Sequence, residues 1–420
     1  MSSEIKIDVN IVTYESVKFI KGVLGSLLAQ DIGASSISLC IVDNSKTDET
    51  LQCVREFLDN STEKFGSVSI KKSPKNLGFG NGHNLAATMG SSPFIFILNP
   101  DVELPPDCLS VLFSKADAAG QKFALFEPRQ IPYEHPKFYD PVTMDPTWSS
   151  GAAMLIRRSA FVDVGGFDPR IFLYGEDVDL SWRLRAKGYK LLYVPEATIT
   201  HYAYAEPGEI KPVQVRNSLL ANLYLRTRFG SPKDVFFGFY IYCKLLASPE
   251  TGPRRQLIGM LGAYFWNYAY FRRGGWWRKY KPSFHGWDYS PVRRGAFIEV
   301  IPASALPVHP KVSVLIRTIG RKPLLRRALQ TVSNQTYPDV EVVLVEDGPG
   351  TLDDLASEFP ALDIKYYPLG EKRGRCAAGN EAMNRATGEY YVFLDEDDEF
   401  FADHIEQLVA YSIEASSKII

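Results

Sequence analysis

Runs of β-branched residues alternate with helically spaced apolar residues through the first hundred positions. Residues 5–13 (IKIDVNIVT) and 37–43 (ISLCIVD) read as strands that end in polar or turn residues. Between them Val17, Ile20, Val23, Leu24 and Leu27 recur at helical intervals. A second helix is predicted over 48–59, a strand over 68–72, a helix opening after the glycine-rich 78–82, and a strand over FIFIL at 94–98. This order predicts an α/β fold with a parallel sheet, right-handed crossovers and ligand chemistry at the carboxyl ends of the strands.

The pattern then loosens. Residues 127–149 are rich in Pro, Tyr and Asp and predict a loop over that edge. An apolar strand (152–156), a loop bearing GGFDP, an acidic helix (175–187) and a strand (190–194) follow. From 214 to about 290 the chain turns helical and aromatic, and 301–311, with three prolines, reads as a linker. The expected organisation is 1–213, a helical segment 214–300, the linker, and 312–420.

After the linker the sequence repeats itself. VNIVTYE at 9–15 returns as VLIRTIG at 314–320, and CIVDNS at 40–45 returns as LVEDGP at 344–349. GHNLAATMGSSPFIFILNPDVELPPD at 82–107 returns as AGNEAMNRATGEYYVFLDEDDEFFAD at 378–403. Three matches in order, at offsets between about 296 and 305 residues, indicate a second copy of the first half. On this alignment Asp347 answers Asp43, Asn380 answers Asn84, and Asp395 and Asp397 supply a fuller acidic pair than Asn99 and Asp101.

Composition narrows the class without naming it. A net charge of −2 and 45% hydrophobic residues are those of a globular protein and give no bulk attraction for nucleic acid. Five scattered cysteines without metal-ligand spacing fit reduced thiols and a cytoplasmic setting. The apolar stretch 256–271 has 16 residues, short of the ~20 that cross a bilayer. Across 231–300, however, 11 Lys and Arg face 4 Asp and Glu. Trp276-Trp277 beside Arg278-Lys279 suits either peripheral contact with anionic lipid or a helical pair packed on the first domain.

A strand, an Asp, a glycine-rich turn, a second Asp-bearing strand end and a Glu-Asp pair occur in that order. Residues 5–205 thereby resemble family 2 of the inverting glycosyltransferases, of GT-A fold, and within it the rhamnosyltransferase-like enzymes of bacterial surface polysaccharide and O-antigen assembly. The resemblance implies a nucleoside-diphosphate sugar as donor and a glycan or lipid-linked glycan as acceptor. It gives Asp43 a hydrogen bond from a pyrimidine imide, with Thr13 and Glu15 beside the nucleoside; an Asx-turn in DNSKTDE is the other reading of Asp43. Asn76, Gly78 and Asn84, in NLGFGNGHN, are expected at the sugar nucleotide, since glycines allow close approach and a helix start favours phosphate.

Asn99-Pro100-Asp101 stands where the family carries an Asp-x-Asp metal motif. The resemblance implies a divalent metal (Mn²⁺ or Mg²⁺) on Asp101, with His201 as second ligand and Asn99 on ribose or phosphate. Glu176-Asp177 supplies the general base that inversion requires, by the resemblance Asp177, with Glu176 and Asp179 orienting the acceptor. Trp148, Gly151 and Asp168 are placed on the acceptor side. Arg183 and Arg185 read either as diphosphate contacts or as a solvated helix face. A bifunctional two-site transferase and a non-catalytic sugar-nucleotide-binding scaffold are the competing readings. A glycoside hydrolase would need two opposed carboxylates and no nucleotide pocket.

Overall fold

The structure, a computed structural model, describes residues 7–134, 138–204, 209, 211–246, 254–284 and 298–415. Positions 5–6 of the first expected strand, 135–137 of the expected loop, 285–290 of the helical stretch and the Trp277 side chain lie outside the described residues. The chain divides into two compact units, the first running to Tyr139 and from Asp145 to Glu299, the second comprising Asp140–Met144 and the chain from Val300.

In the first unit the predicted alternation folds as β1 (Ile7–Thr13), α1 (Val17–Leu28), β2 (Ile37–Asp43), α2 (Glu49–Asn60), β3 (Ser67–Lys72), α3 (Phe79–Ala87) and β4 (Phe94–Leu98). β1, β2 and β4 are buried at nearly every position, as strands covered on both faces by helices must be. The helical stripe read from the sequence is the one buried on α1: Ile20, Val23, Leu24 and Leu27. Short β5 (Val102–Glu103), α4 (Cys108–Ala119), β6 (Phe123–Ile131), β7 (Tyr133–Glu134), β8 (Ala153–Arg157), α5 (Arg158–Asp163), α6 (Glu176–Ala186) and β9 (Lys190–His201) follow. The eight-stranded sheet runs β3-β2-β1-β4-β8-β6-β9-β5. It is parallel from β3 to β4 and becomes mixed at β8, antiparallel to both β4 and β6.

The loop expected over 127–149 begins later than its composition suggests. β6 continues to Ile131, pairing in parallel with β9, and Pro128 is tolerated at a register shift between Pro128 and Arg129. Strand β9 likewise runs to His201, past the expected end at 194.

The helical stretch forms α7 (Pro212–Phe229), α8 (Pro232–Leu245), α9 (Arg254–Arg272) and the single turn α10 (Trp276–Lys279). A capping box fixes the start of α8, with Ser231 and Asp234 bonded reciprocally. The second half of α7 is buried almost without interruption from Leu219 to Phe229. Its Tyr224 stacks on Phe271 of α9 at 4.1 Å, while Leu225 and Phe229 join Trp182 of α6 in one apolar cluster. Short β10 (Ile298–Glu299) pairs with β7.

The second unit reproduces the first half of the first. Strands β11 (Val312–Thr318), β12 (Val340–Glu346), β13 (Asp363–Pro368) and β14 (Tyr390–Asp395) are joined by helices α11 (Lys322–Ser333) and α12 (Arg375–Arg385) and followed by α13 (His404–Ala415). Their order, β13-β12-β11-β14, is that of β3-β2-β1-β4. The register corrects one correspondence. Thr318 pairs with Glu346 as Thr13 pairs with Asp43, so Glu346, not Asp347, takes the place of Asp43. Asp395 and Asp397 do fall at Asn99 and Asp101, because Leu394 and Leu98 hold the same position opposite Ile316 and Ile11.

Candidate active site

The carboxyl ends of β1, β2 and β4 meet where strand order reverses between β1 and β4, the usual ligand edge of such sheets. Asp43 ends β2 fully buried. Its Oδ1 accepts the Thr13 hydroxyl (2.8 Å), the Ser45 hydroxyl (2.6 Å) and the Ser45 N–H (3.1 Å), while Lys72 Nζ lies 2.8 Å from Oδ2. Burial raises its pKa, but these donors outweigh burial and hold the carboxyl below its ordinary value. The Asx-turn geometry is thus present, and the carboxylate already has its donors. Glu15, exposed and at φ 51°, begins the loop after β1, where its N–H meets Ser45 Oγ at 2.7 Å.

The polar groups of the glycine-rich turn make hydrogen bonds within the protein. Asn76 Oδ1 accepts the Gly78 N–H (2.8 Å), and Asn84 clamps Phe167 by accepting its N–H and donating to its carbonyl, both at 2.9 Å. Gly78, at φ 78°, is required: a Cβ there would lie 2.2 Å from the Phe172 carbonyl oxygen. In the second unit Asn380 has the place of Asn84 and is exposed.

Asp101 and His201 come together through a short antiparallel ladder. β5 starts at Val102, which pairs with His201, and the Tyr202 N–H closes on the Asp101 carbonyl at 2.9 Å. His201 Nε2 then lies 3.5 Å from Asp101 Oδ1, and its Nδ1 lies 2.8 Å from Gln130 Oε1. Gln130 Oε1 can only accept, so Nδ1 is the donor in that bond, and Nε2 faces the carboxylate. Burial raises the Asp101 pKa, yet the His201 contact and nearby Lys211 leave it below the ordinary value. An anionic oxygen and an imidazole nitrogen about 3–3.5 Å apart suit adjacent ligands of one divalent ion with bonds near 2.1 Å. Gln130 is the outer partner that such a histidine requires. Among the described residues no group of three or more His, Cys, Asp and Glu could hold a metal.

Asp177 stands in the first turn of α6, behind a loop in which Tyr174 (φ 65°) and Gly175 (φ 85°) both adopt left-handed backbone. It is half-buried, with Oδ2 accepting the Gly151 N–H at 3.0 Å and Oδ1 the Val178 N–H at 2.8 Å. Neighbouring Ala152 accepts the Asn99 N–H at 2.9 Å. Asp177 is thereby tied to the end of β4 that carries Asn99 and Asp101. Its neighbour Glu176 is buried, and desolvation together with Asp177 and Asp179 pushes its pKa well above the ordinary range. Glu176 accordingly holds its proton more tightly than an ordinary carboxylic acid.

The remaining acceptor-side candidates are bound into the packing around α6. Asp179 is buried between Arg183 (2.7 Å) and Arg228 (2.5 Å). Asp168 takes the other arm of Arg228 at 2.5 Å and the Tyr270 hydroxyl at 3.1 Å. Trp148 is buried against Val178 and Trp182 beneath α6. Arg183 and Arg185 are neither a solvated face nor free for a diphosphate. Arg183 is committed to Asp179 and the Val164 carbonyl, and Arg185 to Asp145 (2.6 Å) and the backbone of 146–147. Sequence reading passed over Gln130, which lay in the expected loop, and Arg228 and Tyr270, which lay in a segment read as separate. No local signal marks them, because their partners His201 and Asp168 are 60 to 102 positions away.

The second unit's acidic edge is internally neutralised. Arg317 pairs with Asp395, and Arg321 meets Glu396 at 2.7 Å and Asp397 at 3.2 Å. Glu346 accepts the Thr351 N–H at 2.8 Å and the Tyr366 hydroxyl.

The arrangement is that of an α/β nucleotide-edge enzyme with one half-exposed carboxylate on a braced helix. The chain belongs to glycosyl transferase family 2, whose model matches residues 8–179 and again 313–419, together more than half of the chain. A further model, glycosyl transferase family group 2, matches residues 137–228. The protein is a glycosyltransferase, and its second unit is a repeat of the same family. It is similar to the N-acetylglucosaminyl-diphospho-decaprenol L-rhamnosyltransferase of Mycobacterium tuberculosis, 28% identical over 41% of this chain and 68% of the relative. Rhamnosyltransferase WbbL of Escherichia coli is 29% identical over 30% of this chain and 61% of its own length. Among solved structures, mannosyltransferase PcManGT from Pyrobaculum calidifontis, in complex with GDP-Man and Mn²⁺, aligns with a TM-score of 0.45 at 15% identity, covering 64% of this chain and 84% of that one.

Proposed function

We propose that the first unit transfers a sugar, with inversion, from a nucleoside-diphosphate donor to a hydroxyl of a glycan or lipid-linked glycan in surface polysaccharide synthesis. The observation that carries this reading is Asp177, a half-exposed carboxylate oriented by Gly151 on a helix whose other acidic residues are buried. Asp177 takes the acceptor hydroxyl's proton as the oxygen attacks the anomeric carbon from the face opposite the leaving diphosphate. Burial and the neighbouring acids favour the protonated form of Glu176, which limits negative charge beside that attack.

Asp101 and His201 would hold a divalent cation, which when bound offsets the charge that builds on the diphosphate. Asn99 at the end of β4 and Thr13, Asp43 and Glu15 at the ends of β1 and β2 line the edge offered to the nucleoside. Rhamnose is the first sugar to test, because two of the relatives named above are rhamnosyltransferases.

Release of nucleoside diphosphate from a panel of sugar nucleotides, with Mn²⁺, Mg²⁺ or EDTA, tests the reading. Metal-dependent release from one donor, abolished by Asp177→Asn, is expected. Retained donor binding without turnover under any metal or acceptor would instead establish a scaffold. Turnover that survives Asp177→Asn and disappears in Asp397→Asn would move the chemistry to the second unit and support a two-site enzyme.

A further inference from the structure

α8 and α9 each bury one stripe and expose an apolar one. On α9, Leu257, Tyr264 and Phe271 are buried at heptad spacing, with the Tyr264 hydroxyl 2.7 Å from Thr227 of α7. On the opposite side Ile258, Phe265 and Trp266 are exposed, Trp266 to 86%. Between them Gly259 and Gly262 face open space. On α8, Phe236 (76% exposed) and Tyr240 lie one turn apart on the outer face. The two faces adjoin, since Phe239 stacks on Phe265 at 5.9 Å and the Tyr242 hydroxyl reaches the Leu257 carbonyl at 2.8 Å. Large side chains exposed in one contiguous patch mark an interaction surface.

The surrounding charge selects the occupant. Arg254 and Arg255 open α9 and Arg273 follows it, all exposed, and Lys244 continues the outer stripe of α8. Between Arg254 and Arg272 there is no Asp or Glu. A second copy of this chain would bring these cations against their own kind. An apolar surface carrying anionic groups matches both features, with rings at acyl-chain depth and basic ends among headgroups. No helix among the described residues is long and apolar enough to cross a membrane, so the contact is with one face of the bilayer.

We propose that the outer face of α8 and α9 docks on the interface of an anionic phospholipid bilayer, inserting Phe236, Tyr240, Ile258, Phe265 and Trp266. The inner face of the same helix reaches the loop that follows GGFDP. Asn267 Oδ1 accepts from Arg170 at 2.8 Å, and Tyr270 donates to Asp168. Docking therefore holds the acceptor side of the first unit at the membrane surface, where a lipid-linked acceptor would be presented. That consequence rests on the proposed function, whereas the docking itself does not.

The test is flotation of the full chain with phosphatidylcholine vesicles, with and without phosphatidylglycerol, at low and high salt. The chain is expected to float with the anionic vesicles, less so at high salt and weakly with neutral ones. Phe236→Ser with Trp266→Ser should lower partitioning roughly tenfold or more, since both rings leave the acyl boundary, and Arg254→Glu with Arg255→Glu should remove the preference for anionic lipid. These sites are exposed, so turnover of a water-soluble acceptor should persist, which separates this proposal from the transferase reading. A chain that stays in solution with both vesicle types, or double-serine variants that float as well as the parent, would overturn it. So would a dimer that is lost in Trp266→Ser without any vesicle binding, since a second copy would then be the occupant.

Discussion

Arg228, on α7, joins its Nη1 to Asp179 Oδ1 at 2.5 Å and its Nη2 to Asp168 at the same distance. One guanidinium thereby ties α6, two residues beyond Asp177, to the GGFDP loop. Nearby charges overcome burial for both partners: Arg228 is held above its ordinary value and Asp179 below its own. Removing Arg228 leaves two buried carboxylates without their shared cation, so Arg228→Met should cost roughly 3–5 kcal/mol of stability. Arg228→Lys keeps the charge but cannot fork to both partners and should fall between. Denaturant unfolding measures the loss. Equal stability of Arg228→Met and parent would remove the brace from this account.

Asp177→Asn preserves an acceptor for the Gly151 N–H but removes the base. Turnover should fall about 10²–10⁴-fold with donor affinity little changed. Single-turnover kinetics beside calorimetric donor binding separates the two quantities, and a loss seen only in binding would deny Asp177 its role.

Asp101→Asn should raise the metal concentration needed for half-maximal turnover more than His201→Ala does, because the hard divalent ions prefer an anionic oxygen. Gln130→Ala should act in the same direction, by about 10–100-fold, through the orientation of His201. Metal titrations of donor binding, followed apart from turnover, give the comparison. Unchanged metal dependence in all three variants would place the ion elsewhere.

Glu176 makes stability depend on pH with an unusual sign. Its folded pKa is raised above the ordinary 4.5. The folded state therefore binds the proton more tightly than the unfolded chain, and stability falls as pH rises from about 4.5 towards the raised value. Below that window the group contributes no penalty, and above it the penalty is complete. Glu176→Gln should match the parent near pH 4.5 and exceed it at neutral pH. Melting temperatures across that range provide the check; a variant that loses stability at neutral pH would refute the raised pKa.

Asp397→Asn should leave donor turnover by the first unit unchanged, since Asp397 belongs to a separately folded repeat whose acidic edge is already paired with Arg317 and Arg321. Loss of turnover on this substitution would show that the second unit takes part.

The order of strands and helices was legible in the sequence because it is local. β1, β2 and β4 announce themselves as β-branched runs between turn residues, and α1 by the spacing of its buried stripe. The repeat is legible for the same reason, since each copy carries its own periodicity. Asp177 and Asp101 were marked as candidates for a general base and a metal ligand by their place in that order.

Tertiary structure decided how each candidate is held. Asp168, Asp179 and Asp177 look alike along the chain, but only packing of α7 places Arg228 between the first two and leaves the third half-exposed. Gln130 became the partner of His201 only because β6 extends beyond its proline and pairs with β9. The correspondence of Glu346 with Asp43 needed the strand register, since a one-residue shift is invisible in an apolar run and reverses every side chain. Sequence by itself determined which elements form and in what order, because hydrophobic periodicity acts within a few residues. Burial, pairing and protonation were decided by contacts between distant segments, and those exist only once the chain has folded.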